Sequence, residues 1–300
     1  MKIGLNISNI EPLGGGRILR FSDVRAMAQR AEAVGFDSVW LADHFMTRVS
    51  GEEDRGLWEA FTFLSALAAV TSRIHLGSLV ACTSFRHPTL LAKMADGLDE
   101  ISGGRFVLGV GAGWHEPEYR AFGYPFDHRA GRFDEALQII VTLLRTGRVT
   151  FAGQYYQAND AVLRPRGPSP IGPPVWVGGS GPRMLELTAC YADGWNCDAT
   201  EHRADFIAGE FQRVRQACER VGRDPATLTL TAQTEVRMLA PGETKRHDDG
   251  VMTGTPDEVA EMLHACAEVG VEHLMVLDAA AQDVAGVERL GRVRELLRRS

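Results

Sequence analysis

The sequence predicts a (β/α)8 barrel. Short apolar runs alternate with segments of helical period along the chain, there are eight of each, and the repeat fills 300 residues. A barrel of this class takes roughly 250 residues as one unit, so residues 1–300 read as a single domain. The runs are apolar on both faces, as strands of a parallel sheet covered by helices must be. Alternating units also build open doubly wound sheets, and the count of eight selects the barrel.

KIGLNI (2–7) is the first strand, followed by a helix at 22–34 that Gly35 ends. SVWLA (38–42) leads to a helix at 57–71, IHLGSLVA (74–81) to 88–101, and RFVLGVG (105–111) to 131–146. PVWVGG (174–179) precedes a helix at 182–191, and GWNCD (194–198) one at 202–221. TLTLTAQTEV (227–236) precedes 256–268, and HLMVLD (273–278) precedes 284–298. Thr255-Pro256 places a proline at a helix start, and Gly270 closes the same helix. Two segments stand outside the repeat. Residues 147–173 read as a small hairpin about Ala152-Gly153 and a proline-rich connector, inserted between strands four and five. Residues 237–254 have no periodicity and read as a lid or a disordered loop.

Composition narrows the function classes. No run of about 18 apolar residues is present, so no membrane span is expected, and MKIGLNISNI lacks the regions of a signal peptide. Five cysteines without CxxC spacing argue against a disulfide framework or a thiolate metal site. The cytosol is therefore the expected compartment. A net charge of −7 gives no electrostatic footprint for nucleic acid or an anionic membrane.

In a barrel, polar residues immediately after strands face the reaction chamber. His44, His87, His115, His128 and His202 follow strands or sit in the connecting loops, whereas His75 and His273 begin strands and His264 lies in a helix. Asp43-His44, directly after VWLA, is the sharpest pair: an imidazole titrating near neutrality moves protons, and an adjacent carboxylate orients or charges it. The same two residues also suit a helix or loop cap. Adjacent residues after a strand point different ways, so the spacing does not require a direct Asp43–His44 bond. GVGAG (109–113) bares backbone either for a flat ligand or for tight packing at the rim. GGSGP (178–182) opens a helix, and its N–H groups, the Ser180 hydroxyl and the helix dipole suit a phosphate, or form an ordinary glycine turn. Glu116 and Glu118 read as residues of a surface helix. Metal hydrolysis is disfavoured, because no HxH follows the first strand and no HExxH occurs. Schiff-base chemistry lacks a lysine at a strand end, since Lys2, Lys93 and Lys245 are the only lysines.

Taken together, AEAVGFDSVWLADHF (31–45), LGSLVACTSFRHP (76–88), LDEISGGRFVLGVGAGWHEPEYRAFG (98–123), RFDEALQII (132–140) and PPVWVGGSGPRMLELTACYADGWN (173–196) resemble the bacterial luciferase-like monooxygenase superfamily. The DHF and GVGAGW segments look most like its coenzyme F420-dependent oxidoreductases. The resemblance implies a TIM barrel with the deazaflavin F420, or alternatively FMN, at its mouth. It implies Asp43 and His44 beside the ring, with His44 as acid/base. Leu79 and Val80 match a position where the family often has a non-proline cis peptide, with Cys82 beside it. Gly111, Ala112 and Gly113 would border the cofactor, and the turn of Gly178, Gly179, Ser180 and Gly181 would take its phosphate. Ala112 stands where luciferase has a phosphate-binding arginine, and Trp114 where the deazaflavin-dependent sugar-phosphate dehydrogenases have a catalytic glutamate. The implied activity is hydride transfer between the deazaflavin and a small organic substrate. The alternatives are a two-component monooxygenase using reduced FMN and oxygen, and a catalytically silent flavin-binding barrel. Implied partners are a small-molecule substrate, a separate cofactor reductase and a second copy in a homodimer, with no metal.

Overall fold

The computed structural model describes all residues except 13–15, 200–202, 240–242, 244–250, 279–281 and 300. His202 and most of the 237–254 segment therefore lie outside the described residues. Eight strands carry the fold: β1 (Lys2–Asn6), β2 (Ser38–Leu41), β3 (His75–Ser78), β4 (Phe106–Gly111), β5 (Val175–Gly178), β6 (Gly194–Asp198), β7 (Thr229–Met238) and β8 (His273–Asp278). Their order is β5-β6-β7-β8-β1-β2-β3-β4, and β5 also pairs with β4, so the parallel sheet closes as the (β/α)8 barrel that the alternation predicts.

By their contacts the residues form two compact units. The first comprises residues 1–8, 22–40 and 178–300. Its ladders are parallel, with Leu5 opposite Val39, Lys2 opposite His273, Thr231 also opposite His273, and Gly194 opposite Thr229. The helices α1 (Phe21–Val34), α6 (Pro182–Tyr191), α7 (Ala204–Arg220), α8 (Pro256–Glu268) and α9 (Val284–Arg299) belong to this half almost entirely. Thr255 caps α8 in a reciprocal box with Glu258, which satisfies two N-terminal N–H groups that would otherwise lack partners. His273 is structural, as its position predicts: its Nε2 lies 2.7 Å from the Ser38 hydroxyl inside the core.

The second unit spans residues 9–21 and 41–177. Leu76 lies opposite Phe106 and Val175 opposite Leu108, again in parallel. Around these strands run α2 (Ala60–Val70), α3 (Pro88–Ser102), α4 (Glu116–Phe122) and α5 (Arg129–Thr146). The expected hairpin is present, Arg148–Ala152 against Gln157–Val162. A second, shorter one pairs Met46–Thr47 with Arg55–Gly56. Two differences from the sequence reading stand out. The third apolar run is not one strand: it breaks at Leu79–Val80, where the non-proline cis peptide expected from the resemblance is present, and Ala81–Cys82 pair separately with Val110–Gly111. The seven-residue α4 is an extra helix, too short to show a period against its neighbours.

Candidate functional site

In the second unit, the segments following β2, β3 and β4 bring the chemistry-bearing residues together. Asp43 and His44 leave β2 in opposite directions. Asp43 is buried, and its carboxylate is fully engaged: Arg86 donates to both oxygens at 2.7 and 2.9 Å, and the Cys82 amide adds a third bond at 3.0 Å. Arg86 also reaches Glu59 at 2.5 Å and lies over the Phe61 ring, 4.6 Å from its centroid. Burial opposes the charge on Arg86, yet Asp43 and then Glu59 hold its pKa above the ordinary value. Breaking such a buried pair by removing one partner costs about 3–5 kcal/mol. The geometry makes Asp43 an anchor for the strand ends. It does not touch His44.

His44 pairs with Glu118. Its Nδ1 lies 2.8 Å from Glu118 Oε2, while the other carboxylate oxygen accepts the amides of Phe45 and Met46, the latter at 3.2 Å. Glu118 is 0% exposed, whereas the His44 side chain keeps 22% of its surface open. This corrects the surface-helix reading of Glu118, although it suits Glu116, whose half-exposed carboxylate pairs with Arg120 at 2.6 Å. Residues 116 and 118 sit about 200° apart around a helix, so they face opposite sides. A carboxylate is an acceptor toward three donors here, which places the Nδ1 hydrogen between His44 and Glu118. Nε2 is thereby left as the nitrogen that takes or gives a proton.

Behind the pair lies His115, buried and with its Nε2 accepting from the Arg48 amide at 2.9 Å. Burial lowers its pKa, against the opposing pull of Glu118, so this imidazole stays neutral and structural. Trp114 is 66% exposed and meets His44 edge-on, 5.6 Å between centroids.

The remaining expected positions divide sharply. Cys82 is buried, with its Sγ 3.0 Å from the Tyr119 hydroxyl, and burial pushes its pKa up to about 11. A thiol so raised is no nucleophile near neutrality. Leu79 is buried and Val80 half-buried around the cis bond. Gly111 is buried, and Ala112 and Gly113 are half-buried. Gly113 serves the protein's own packing: a Cβ there would fall 2.0 Å from the Tyr119 hydroxyl, which is itself fixed by a bond to the Ala112 carbonyl at 2.9 Å.

In the first unit, Gly178, Gly179, Ser180 and Gly181 form the turn into α6. The last three are exposed, Gly181 is the N-cap with no side-chain cap bond, and a Cβ on Gly181 would meet nothing within 4 Å. Arg213 donates to the Ser180 carbonyl at 2.8 Å, holding a guanidinium at the turn. Uncapped N–H groups, a positive helix end and open space are what a phosphate group needs, so this chain's donor set fits a phosphorylated cofactor.

Among the described residues, no group of three or more His, Cys, Asp or Glu is placed to hold a metal, and no helix is long and apolar enough to cross a membrane. His44, Glu118 and Trp114 come together only in three dimensions, and so do Asp43 and Arg86. Sequence reasoning missed the roles of Glu118 and Arg86, and the one available signal was the opposed facing of Glu116 and Glu118.

Comparison with known proteins places this geometry in a family. A protein 29% identical over 290 residues, 82% of this chain and 86% of that one, is the F420-dependent glucose-6-phosphate dehydrogenase of Intrasporangium calvum. Another, 29% identical over 306 residues (94% of this chain, 78% of its own), is the phthiodiolone/phenolphthiodiolone dimycocerosates ketoreductase of Mycobacterium bovis. A solved F420-dependent secondary alcohol dehydrogenase, in complex with an F420-acetone adduct, has the same fold, with a TM-score of 0.82, 20% identity and coverage of 99% of this chain and 98% of its own. The luciferase-like monooxygenase family matches residues 1–244, and the chain belongs to that family.

Proposed function

We propose that the protein is an oxidoreductase in which a small organic substrate exchanges a hydride with the deazaflavin coenzyme F420 and a proton with His44. The observation that carries this reading is the His44–Glu118 pair: a buried carboxylate bonds one nitrogen of an imidazole that keeps part of its surface open. Relatives named as F420-dependent support the cofactor. When bound, the deazaflavin supplies or accepts the hydride. The chain's own residues do the rest. The Gly178–Gly181 turn would hold the phosphate, and Leu79, Val80, Cys82, Gly111, Ala112 and Gly113 would line the cofactor. Glu118 fixes the tautomer of His44. Asp43, locked to Arg86, fixes the segment that carries it.

General acid–base catalysis by one side chain contributes roughly 10²–10⁴-fold. His44→Ala is therefore expected to cut turnover by about that factor while cofactor affinity stays within a few fold. Unchanged turnover would remove His44 from the mechanism. Titration with F420 and with FMN, followed by absorbance and fluorescence, tests the cofactor directly.

A second reading, reduced FMN with oxygen as co-substrate, draws on the family's description as monooxygenases. Substrate-dependent oxygen consumption with reduced FMN decides for it. Either chemistry is read as cytosolic, in accord with five free cysteines. A homodimer served by a separate reductase completes the proposal, and light scattering on the purified protein tests the dimer.

A further inference from the structure

Trp114 carries the highest fractional exposure of the large apolar side chains that the structure leaves at the surface, at 66%. A single exposed apolar residue is ordinary on a protein surface. This one is not ordinary in its setting. Both neighbours in the chain are tied down: the Gly113 carbonyl accepts from Arg129 at 2.7 Å, and the buried ring of His115 accepts from the Arg48 amide at 2.9 Å. The indole is also oriented, edge-on to His44 at 5.6 Å and tilted against His115 at 5.0 Å. An exposed aromatic ring beside the proton-carrying imidazole presents a flat apolar surface, and with only two side-chain torsions it costs little entropy to order.

The cations around it are committed elsewhere. Arg48 forms a two-pronged pair with Asp54 at 2.8 and 2.5 Å, Arg120 bonds Glu116, and Arg129 covers the Phe126 ring while holding Gly113. A phosphorylated or otherwise anionic substrate arriving at His44 meets an indole face here and must compete for these arginines. A planar apolar group meets a surface already shaped for it.

We propose that Trp114 is a specificity-determining residue. It stacks on the substituent next to the reacting carbon and selects aryl ketones and the matching secondary alcohols over small alkyl ones and over sugar phosphates. This rests on the reading that His44 carries the substrate's proton. In the reaction, the carbinol carbon of the alcohol gives up its hydride to the oxidised cofactor as the hydroxyl proton passes to His44, or the reverse for the ketone.

The test measures dissociation constants of 1-phenylethanol, propan-2-ol and glucose 6-phosphate for the wild type, Trp114→Phe and Trp114→Ala, each loaded with whichever of F420 or FMN the protein takes. The expected result is at least a tenfold preference for 1-phenylethanol in the wild type, largely kept by Trp114→Phe. Trp114→Ala should lose it, with propan-2-ol affinity changed less than twofold. Equal binding of the three ligands, no binding of any, or an undiminished preference in Trp114→Ala overturns the proposal. Cofactor affinity is read separately from the cofactor's own absorbance. A failed F420 assignment is therefore distinguished from a failed role for Trp114. Because Trp114 is exposed, the Ala variant is expected to fold, and an unchanged melting temperature checks it.

Discussion

Two glycine-rich strand ends, Gly109–Gly113 at the end of β4 and Gly178–Gly181 at the end of β5, look alike in sequence and differ in what their bared backbone faces. A Cβ on Gly109 would sit 2.1 Å from the Ser78 carbonyl oxygen of the neighbouring strand, and one on Gly113 would meet a buried tyrosine hydroxyl. A Cβ on Gly181 would meet only open space. The first turn is glycine because the protein packs against itself. In the second, Gly181 faces open space at an uncapped helix start, while Gly179 is glycine for its backbone, at a φ of +131° and with Met184 3.2 Å from where its Cβ would be. Glycine in a cofactor-binding family is thus not evidence of ligand contact by itself. What a side chain would strike decides the matter.

The largest expected effect falls on the packed turn. Gly113→Ala must fit a Cβ against Tyr119 and also hold φ at +74°, where an L side chain costs about 1–2 kcal/mol before any overpacking of about 1–3 kcal/mol. A stability loss of roughly 3 kcal/mol, measured by denaturant unfolding, is expected. A loss within experimental error would mean that Tyr119 is free to move, and the contrast between the turns would fail. Gly181→Ala sharpens the comparison from the other side. Its φ of −65° suits alanine, so stability should fall by about 1 kcal/mol or less. Affinity for the phosphorylated cofactor should drop about tenfold, equivalent to about 1.4 kcal/mol, while affinity for the cofactor lacking its phosphate stays the same. Equal losses for both forms would sink the phosphate assignment.

The smallest effect is in pH. His115 follows the packed turn, and burial holds its pKa below the ordinary value. The unfolded chain therefore binds more protons near this pKa than the folded one. Stability rises with pH through that range and is lost as pH falls below about 6.5. In His115→Gln, thermal melts from pH 5 to 8 should show a shallower acid-side decline than the wild type. An unchanged slope would place the acid sensitivity elsewhere.

Much of this molecule was legible in its sequence because alternation of apolar runs and helical segments is a local signal that repeats. The eight strands, the hairpin at 148–162 and the helix punctuation at Thr255 follow from it. The α4 helix did not, since seven residues hold barely two turns. At the site, resemblance placed the Leu79–Val80 cis bond and the Asp43-His44 pair, and the residues alone showed why an imidazole there is useful. They did not show that the two side chains part company. Asp43 turns to Arg86, 43 residues on, and His44 to Glu118, 74 residues on. Glu116 and Glu118 are chemically identical in the sequence, and only the packing of α4 buries one and exposes the other.

The sequence by itself determined the barrel and the positions after each strand where chemistry is possible, because strand period, helix period and turn chemistry are properties of neighbouring residues. The family came from the resemblance of whole segments to known proteins. Tertiary structure alone decided which glycines serve packing, which carboxylate orients His44, and that Trp114 stands open beside it. Those depend on burial and on distances between segments far apart in the chain, which no local pattern encodes.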